Sequence, residues 1–260
     1  MSESYLDRLF GLKGQVAVVI GGTGVLGGAL AIGLAKAGAS VVVSGRDPEK
    51  GAARVREIEA EGGKGAFSPV DVTRRESIAG LLEHVLKTHG RVDLLINGAG
   101  VNNATPYFEI KDEDWDRVFD SNLKAVHWGC QIFGSHMAAK GGGAILNIAS
   151  VTAHLPLSRV FAYSASKAAV INLTQNVARE LAPLKVRVNA LCPGFFPAEQ
   201  NRKILDATRT ENIMRQTPMA RFGEADELIG ATILMLAPVA GSFITGAAYY
   251  VDGGFTAMRF

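Results

Sequence analysis

Short apolar runs alternate along the chain with longer stretches in which hydrophobic and polar positions follow a helical pattern. Six runs rich in β-branched residues predict strands, at residues 16–20, 41–43, 94–96, 144–148, 186–190 and 248–251, and residues 65–70 form a weaker seventh. Helical patterns at 29–37, 49–60 and 77–88 end next to Gly38, Gly62 and Gly90, where glycine can take the left-handed conformation that stops a helix. Apolar strands separated by helices are typical of a parallel sheet that is covered on both faces.

This pattern continues over 260 residues without an internal repeat, a low-complexity tract or a linker rich in proline and serine. We therefore expect residues 1–260 to form a single domain. The predicted fold class is α/β, a Rossmann-type doubly wound parallel sheet of about seven strands.

Composition and charge exclude several classes of protein. Hydrophobic residues make up 48% of the chain and charged residues 20%, which excludes a disordered or collagen-like chain. The net charge of +2 is spread along the sequence and forms no basic patch for nucleic acid. We expect the partner to be a small molecule.

Cysteine usage and the N-terminal residues predict a cytoplasmic protein. Cys130 and Cys192 lie in apolar stretches without metal-ligand spacing, so we expect buried, reduced thiols and no bound metal. Residues 1–15 include acidic residues and lack the apolar core of a signal peptide. Residues 16–35 are uncharged and long enough to cross a bilayer, but glycines interrupt any helix there, and we expect no membrane span.

A glycine-rich turn follows the first predicted strand. An apolar strand, a glycine turn and an apolar helix in this order are typical of a dinucleotide-binding site. Glycines let the backbone approach a pyrophosphate, and the helix that follows points its free N–H groups at it. The candidate contacts are Gly21, Thr23, Gly24, Val25, Leu26 and Gly27. The alternative is a tight turn that only requires positive φ.

The tip of the second strand bears on the choice of cofactor. An acidic residue there usually binds the ribose 2′-hydroxyl of NAD, whereas a 2′-phosphate needs that acid absent and a cation nearby. Gly45 occupies the tip and Arg46 follows it, so we expect NADP(H), with NAD(H) or a merely solvated arginine as alternatives. Asp71 and Val72, after the third strand, are candidates for the edge where an adenine would lie, and Asp71 could instead form a strand-end turn.

Tyr163 and Lys167 are candidate catalytic residues. They are four residues apart, so on a helix they share one face, where the ammonium would favour the phenolate and lower the tyrosine pKa. They start a long apolar helical pattern, thirteen residues after Ser150, which follows a predicted strand. Tyr107 and Lys111 have the same spacing but lie between a proline and an acidic run, and from them we expect loop packing rather than chemistry.

The sequence resembles the short-chain dehydrogenase/reductase family over nearly its whole length, from Gly14 to about Gly254. The matching motifs, in order, are the glycine turn at 21–27, Asp71 with Val72, Asn97 to Gly100, Asn122, Ser150, Tyr163 with Lys167, Pro193 with Gly194, and Asp252 to Gly254.

The resemblance implies hydride transfer between a nicotinamide and a secondary alcohol or ketone. It implies that Tyr163 is the general acid or base, that Ser150 bonds the substrate oxygen, and that Lys167 holds the nicotinamide ribose. Asn122 would position a water in a proton relay. The further cofactor-binding residues that it implies are Asn97, Ala99, Gly100, Tyr163, Lys167, Pro193 and Gly194. It also implies a homo-oligomer, a tetramer.

Four positions depart from the family pattern. Val25 stands where a glycine is usual, and Ile20 where a threonine is usual, so we expect a different path of the turn. Gly98 replaces a second asparagine, and Ala198 replaces a threonine that touches the carboxamide. Cofactor orientation would then depend more on backbone groups.

Residues 193–223 are predicted to form a substrate lid, because the strand and helix pattern lapses there after a strand end. The segment at 193–203 resembles the sugar-acid branch of the family, the mannonate and gluconate type oxidoreductases. The candidate substrate-binding residues are His154, Gln200, Asn201 and Arg202.

We therefore expect an NAD(P)-dependent oxidoreductase that acts on a secondary alcohol or ketone, with a sugar acid as substrate. A 3-oxoacyl-thioester reductase with the same fold is the alternative enzyme. A nucleotide-binding sensor without turnover is the alternative of another class, against which the intact Ser150, Tyr163 and Lys167 argue.

Overall fold

A parallel sheet forms the centre of the computed structural model, which describes residues 4–155, 157–196 and 207–257. The strands are β1 (Val16–Ile20), β2 (Ser40–Gly45), β3 (Lys64–Pro69), β4 (Leu94–Asn97), β5 (Gly143–Ile148), β6 (Val186–Pro193) and β7 (Ala248–Val251). In the described residues they form one seven-stranded sheet in the order β3-β2-β1-β4-β5-β6-β7, with every neighbouring pair parallel. The predicted doubly wound sheet is confirmed.

Helices connect the strands and cover both faces of the sheet. They are α1 (Tyr5–Phe10), α2 (Val25–Lys36), α3 (Pro48–Ala60), α4 (Arg75–His89), α5 (Asp112–Phe119), α6 (Ala125–Ala139), α7 (Phe161–Leu181), α8 (Ala207–Gln216) and α9 (Ile229–Leu236). A π-helical turn at Asp120–Lys124 joins α5 to α6. Gly38, Gly62 and Gly90 all have positive φ, which confirms the predicted helix stops.

Alternate residues of each strand face opposite sides of the sheet and divide the core into two clusters. In β1, Val16, Val18 and Ile20 pack in a cluster with α4, α6 and α7. Ala17 and Val19 pack in a second cluster with α2 and α9. Because both faces are buried, neither requires polar residues, and the strands therefore show apolar runs rather than alternation.

The strand order reverses at β1, which pairs with β2 on one side and with β4 on the other. The chain connections after β1 and β4 therefore leave in opposite directions, and a crevice opens between the carboxyl ends of these strands. Ligands of doubly wound sheets bind at this point.

The element boundaries that differ most from the sequence prediction are the start of α2 and the end of β6. α2 begins at Val25 rather than at residue 29, because Gly24 is its N-cap and the next two glycines lie inside the helix. β6 continues beyond residue 190 to Pro193, since its last residues pair with β7. The apolar stretch 16–35 is thus a strand, a turn and a helix. None of the helices in the described ranges has both the length and the apolar character that a membrane crossing needs.

The predicted lid interval, 193–223, is described in part. α8 occupies Ala207–Gln216, so the expected loss of helical pattern is wrong for this portion. Residues 197–206 lie outside the described residues.

Candidate active site

A cavity of about 570 Å³ opens at the carboxyl end of the sheet, where the strand order reverses. Its wall includes the glycine turn after β1, the tip of β2, residues 70–73 and 98–102, Ser150, Tyr163, Lys167, Pro193 and Gly194. Most of the cofactor and catalytic residues predicted from separate segments therefore meet in one cavity.

The glycine turn is too tight for a side chain at two positions. Gly21 has a φ of +86°, and a Cβ there would lie 2.6 Å from the carbonyl carbon of Gly98. A Cβ on Gly27 would overlap the carbonyl oxygen of Gly21. Bare backbone at the start of α2 thus faces the cavity, and its free N–H groups favour an anion such as a pyrophosphate.

Two departures from the family pattern are accommodated in this turn. Val25 is the first residue of α2, its φ is outside the left-handed region, and its side chain is 44% exposed, so valine causes no backbone strain. The N–H of Gly98 donates to the Ile20 carbonyl at 2.9 Å. A Cβ on Gly98 would lie 3.0 Å from that carbonyl oxygen, so the absence of a side chain at Gly98 leaves room for this hydrogen bond.

Positive side chains gather where β2 ends. Arg46 is exposed at the tip, and Lys50 and Arg54 from α3 line the same cavity. The carboxylate of Asp47 accepts hydrogen bonds from the backbone N–H groups of Glu49 and Lys50 and caps α3. The carboxylate of Asp47 is therefore occupied by the helix cap. The cationic side chains of Arg46, Lys50 and Arg54 are suited to bind a 2′-phosphate at this tip.

Asp71 belongs both to the cavity wall and to a turn after β3. Its Oδ1 accepts from the backbone N–H of Thr73 at 3.0 Å and from the Thr73 hydroxyl at 2.7 Å. These hydrogen bonds lower the pKa of Asp71 below its ordinary value, and the charges of Arg46 and Arg74 act in the same direction. Asp71 can therefore form the strand-end turn and also lie at the edge where an adenine would bind. Val72 lines the cavity next to Asp71.

Ser150, Tyr163 and Lys167 converge at the other end of the cavity. The Oγ of Ser150, which follows β5, accepts from the Thr152 backbone N–H at 3.2 Å and interacts with the Tyr163 side chain. Tyr163 and Lys167 lie one turn apart near the start of α7. The Lys167 ammonium donates to the Ile148 carbonyl at 2.7 Å and lies 5.6 Å from the centre of the Tyr163 ring.

Burial is the largest influence on the pKa values of Tyr163 and Lys167. It raises the pKa of Tyr163 above its ordinary value, and the hydrogen bond with Ser150 opposes this shift only in part. It lowers the pKa of Lys167 to about 8, because the charged form loses its water. The pKa of Tyr163 in the protein alone therefore lies above its ordinary value and not below it as predicted, because burial of the phenolate is the largest effect.

Asn122 lies behind the cavity wall, in the π-helical turn, and is fully buried. Its Oδ1 accepts from the Val101 N–H at 2.8 Å, and its Nδ2 donates to the Val101 carbonyl at 2.9 Å and to the Ser166 hydroxyl at 3.1 Å. Ser166 in turn donates to the Tyr163 carbonyl at 2.7 Å. Asn122 therefore connects the loop after β4 to the backbone of Tyr163.

Asn97, a predicted cofactor contact, also lies behind the wall. It is buried, and its Nδ2 donates to the Oδ1 of Asn147 at 2.9 Å. Asn147 donates to the Thr174 hydroxyl at 2.9 Å. These bonds join β4, β5 and α7 beneath the site, so the Asn97 side chain satisfies buried neighbours rather than facing the cavity, which Ala99 and Gly100 do line.

Of the four predicted substrate residues, His154 is the one that lies within the described part of the chain. His154 is exposed, and its ring centre lies 6.1 Å from that of Tyr250, away from the cavity wall. Gln200, Asn201 and Arg202 lie outside the described residues, as does Ala198.

Tyr107 and Lys111 do not share a helix face. Tyr107 is 62% exposed in a short 3-10 turn, where its ring packs against those of Phe108 and Phe161. Lys111 follows that turn and is the N-cap of α5. The geometry agrees with loop packing.

Several polar residues of the cavity wall escaped sequence prediction, among them Arg54, Asn102 and Thr152. The Thr152 hydroxyl is buried and has no hydrogen-bond partner in the part of the chain that the structure describes. Its position two residues after Ser150 is a signal that could have identified it. Arg54 reaches the cavity through the packing of α3 beside α2, which no local pattern shows.

The comparisons with known proteins agree with this geometry. A family model described as short chain dehydrogenase matches residues 15–209. Uncharacterized oxidoreductase UxuB of Bacillus subtilis strain 168 is 39% identical over 268 residues, which cover 95% of this chain and 96% of that protein. Gluconate 5-dehydrogenase of Gluconobacter oxydans strain 621H is 36% identical over 249 residues, which cover 95% of this chain and 97% of that protein.

A solved structure extends the likeness to three dimensions. The crystal structure of a gluconate 5-dehydrogenase from Burkholderia cenocepacia J2315, in complex with NADP and tartrate, superposes with a TM-score of 0.94. It is 34% identical, and the match covers 98% of this chain and 100% of that chain.

Proposed function

This chain belongs to the short-chain dehydrogenase family and is an NAD(P)-dependent oxidoreductase, and we propose from that premise that it interconverts a sugar acid and its keto form with NADP(H). The observation that carries the proposal is the convergence of Ser150, Tyr163 and Lys167 in the cavity that the glycine turn also lines. The relatives, matched over nearly their whole length, support the substrate class.

The three side chains have complementary tasks. A nicotinamide cofactor, when bound in this cavity, would supply or accept the hydride. The Tyr163 hydroxyl gives a proton to the carbonyl oxygen of a ketone, or takes one from an alcohol, as general acid or base. The Ser150 hydroxyl, which interacts with the Tyr163 side chain, holds the same substrate oxygen.

Positive charge in the cavity must bring the pKa of Tyr163 down, since burial raises it. With a pKa of about 8, Lys167 carries its charge at neutral pH, and its ammonium lies 5.6 Å from the tyrosine ring centre. The positive ring of an oxidised nicotinamide would add to this charge. Together they favour the phenolate in alcohol oxidation, where Tyr163 has to act as a base.

Asn122 supports a proton relay from behind the wall. A Cβ on Gly100 would lie 3.2 Å from the Asn122 Oδ1 and 3.6 Å from the Lys167 ammonium nitrogen, so both groups approach the same glycine. Both N–H groups of Asn122 are used, but its Oδ1 retains a lone pair that no other described residue occupies. A water between Oδ1 and the ammonium would carry protons from Lys167 towards solvent.

The wall around the catalytic residues supports a polyhydroxylated substrate. Beside Ser150 it carries Asn102 and the Thr152 hydroxyl, which is buried without a hydrogen-bond partner among the described residues. Such a group is unfavourable unless a ligand completes its bonding. A sugar acid can do so, whereas an acyl chain would leave it unpaired. One relative is named for gluconate, and another was solved with tartrate.

A substrate panel tests the proposal. We expect the highest kcat/KM for a hexonate or keto-hexonate, with NADP(H) rather than NAD(H), when sugar acids, acetoacetyl thioesters and neutral ketones are assayed with both cofactors. Exclusive reduction of acetoacetyl thioesters would replace the proposal with a 3-oxoacyl-thioester reductase. Tight NADPH binding without turnover of any substrate would replace it with a nucleotide sensor.

Arg46→Ala tests the choice of cofactor at the tip of β2. Charge-assisted hydrogen bonds to a phosphate contribute roughly 1.5 to 3 kcal/mol, so the KM for NADPH should rise about ten-fold or more. The KM for NADH should hardly change, because NADH has no 2′-phosphate. Steady-state kinetics measure both constants. A wild-type preference for NADH would contradict the NADP(H) proposal.

We also propose a cytoplasmic homo-oligomer, a tetramer. β7 is an edge strand of the described sheet, with Tyr249 46% exposed on it and Phe243 fully exposed nearby. A second copy that covers this edge would bury the aromatic side chains and the unpaired strand. The buried cysteines Cys130 and Cys192 form no disulfide, which is compatible with a reducing compartment.

A further inference from the structure

Arg54 reaches from α3 to the glycine turn that opens α2. A Cβ built on Gly28 would overlap the guanidinium carbon of Arg54, so the glycine leaves room for this side chain. The Nη2 of Arg54 lies 3.5 Å from the carbonyl oxygen of Gly24. The side chain lines the cavity with only 19% of its surface exposed.

The guanidinium has donors that the described residues leave without a good hydrogen bond. Its Nη1 pairs with the carboxylate of Glu57, one turn further along α3. Its Nε is buried and has no hydrogen-bond partner within the described ranges, and the contact of Nη2 with Gly24 is long for a hydrogen bond. Nη2 therefore keeps donor capacity, and an oxygen atom of a ligand in the cavity can complete its bonding.

The neighbouring groups identify the part of the ligand that Arg54 faces. The tip of β2 touches the same turn, because a Cβ on Gly45 would overlap the Thr23 hydroxyl. Thr23 precedes Gly24, whose carbonyl faces Arg54. The ribose 2′ position of a dinucleotide lies beside this strand tip. Residues 21–28 carry no charged side chain, so a phosphate there must take its counter-charge from outside the turn.

We propose that Arg54 is a second, fixed cation for the 2′-phosphate of NADP(H) and therefore a determinant of cofactor choice; this rests on the proposed use of NADP(H). Arg46 and Lys50 line the same end of the cavity but are exposed to water. Arg54 is held by Glu57 and by the first turns of α2. A guanidinium that is already positioned and partly shielded from water loses less freedom and interacts more strongly when it pairs with a phosphate.

Binding measurements on Arg54→Met test this role without relying on turnover. Isothermal titration would give dissociation constants for NADP⁺ and NAD⁺, and for adenosine 2′,5′-bisphosphate and 5′-AMP, which differ only in the 2′-phosphate. We expect NADP⁺ and the bisphosphate to bind about ten-fold or more weakly to the variant. NAD⁺ and 5′-AMP should bind as they do to wild type.

Two further variants sharpen the test. Arg56→Met removes the same charge from the same helix, but Arg56 is exposed and outside the cavity wall, so all four dissociation constants should stay unchanged. Arg54→Lys keeps the charge and loses the planar fork, so NADP⁺ affinity should fall between those of wild type and Arg54→Met. If Arg54→Met does not give a cooperative thermal transition, Arg54→Lys carries the same comparison of NADP⁺ with NAD⁺.

The outcomes separate this inference from the proposal beneath it. Unchanged NADP⁺ binding, or equal weakening of NADP⁺ and NAD⁺, would overturn the role of Arg54 and leave the NADP(H) proposal standing on Arg46. A wild-type protein without preference for NADP⁺ over NAD⁺ would contradict the NADP(H) proposal itself, and the role of Arg54 with it.

Discussion

Replacing Tyr163 with phenylalanine is expected to lower kcat at least about a hundred-fold, the usual contribution of a general acid or base. The ring stays in place near the start of α7, and only the hydroxyl that interacts with Ser150 is lost. NADPH should bind almost as before, because the glycine turn and the tip of β2 are unchanged. Turnover of the best sugar-acid substrate and a fluorescence titration with NADPH measure the two quantities.

Tyr107→Phe is the matched control. Tyr107 is the other tyrosine with a lysine four residues on, but it is 62% exposed and packs against aromatic rings outside the cavity wall. Its replacement should leave kcat unchanged. Equal losses from the two variants, or a Tyr163→Phe enzyme that keeps more than about a tenth of the wild-type kcat, would remove Tyr163 from the acid/base role.

The fold could be predicted from the sequence because its strands are buried on both faces. The first run, at 16–20, coincides with β1, and the last, at 248–251, with β7. The start of α2 could not be located, because glycines normally disfavour a helix. Here Gly27 and Gly28 are required by close approaches to Gly21 and to Arg54 across the fold, and such contacts leave no trace in the local pattern.

The catalytic residues could be predicted because helix spacing and motif order identify them, but their proton affinities could not. The spacing of Tyr163 and Lys167 gives their proximity, whereas the direction of each pKa shift depends on how much water the fold removes. Asn97 shows the same limit. Its place at the end of β4 was predictable, but its orientation towards Asn147, behind the wall, is decided by buried partners on β5 and α7.

Lys167→Met is expected to lower kcat strongly and at the same time to stabilise the folded protein. Burial lowers the pKa of Lys167 from 10.5 to about 8, so the charged lysine opposes folding at neutral pH by about 3 kcal/mol, at about 1.36 kcal/mol per pKa unit. Methionine is similar in length and uncharged, and loss of the hydrogen bond to the Ile148 carbonyl costs about 1 kcal/mol. The expected net gain is on the order of 2 kcal/mol, with at least about a hundred-fold loss of kcat.

The pH dependence of unfolding distinguishes this cause from simple repacking. Below pH 8 the lysine is charged in both the folded and the unfolded states, so its full cost is present. Between pH 8 and 10.5 the unfolded state binds a proton that the folded state has released, so wild-type stability rises with pH relative to the variant. Urea unfolding should therefore show the variant's advantage at pH 7 and a smaller one at pH 10. An advantage that does not change with pH would assign the gain to packing. If the variant is less stable than wild type at pH 7, the ammonium stabilises the fold. If the variant is more stable and inactive, Lys167 serves the reaction at a cost to the stability of the fold.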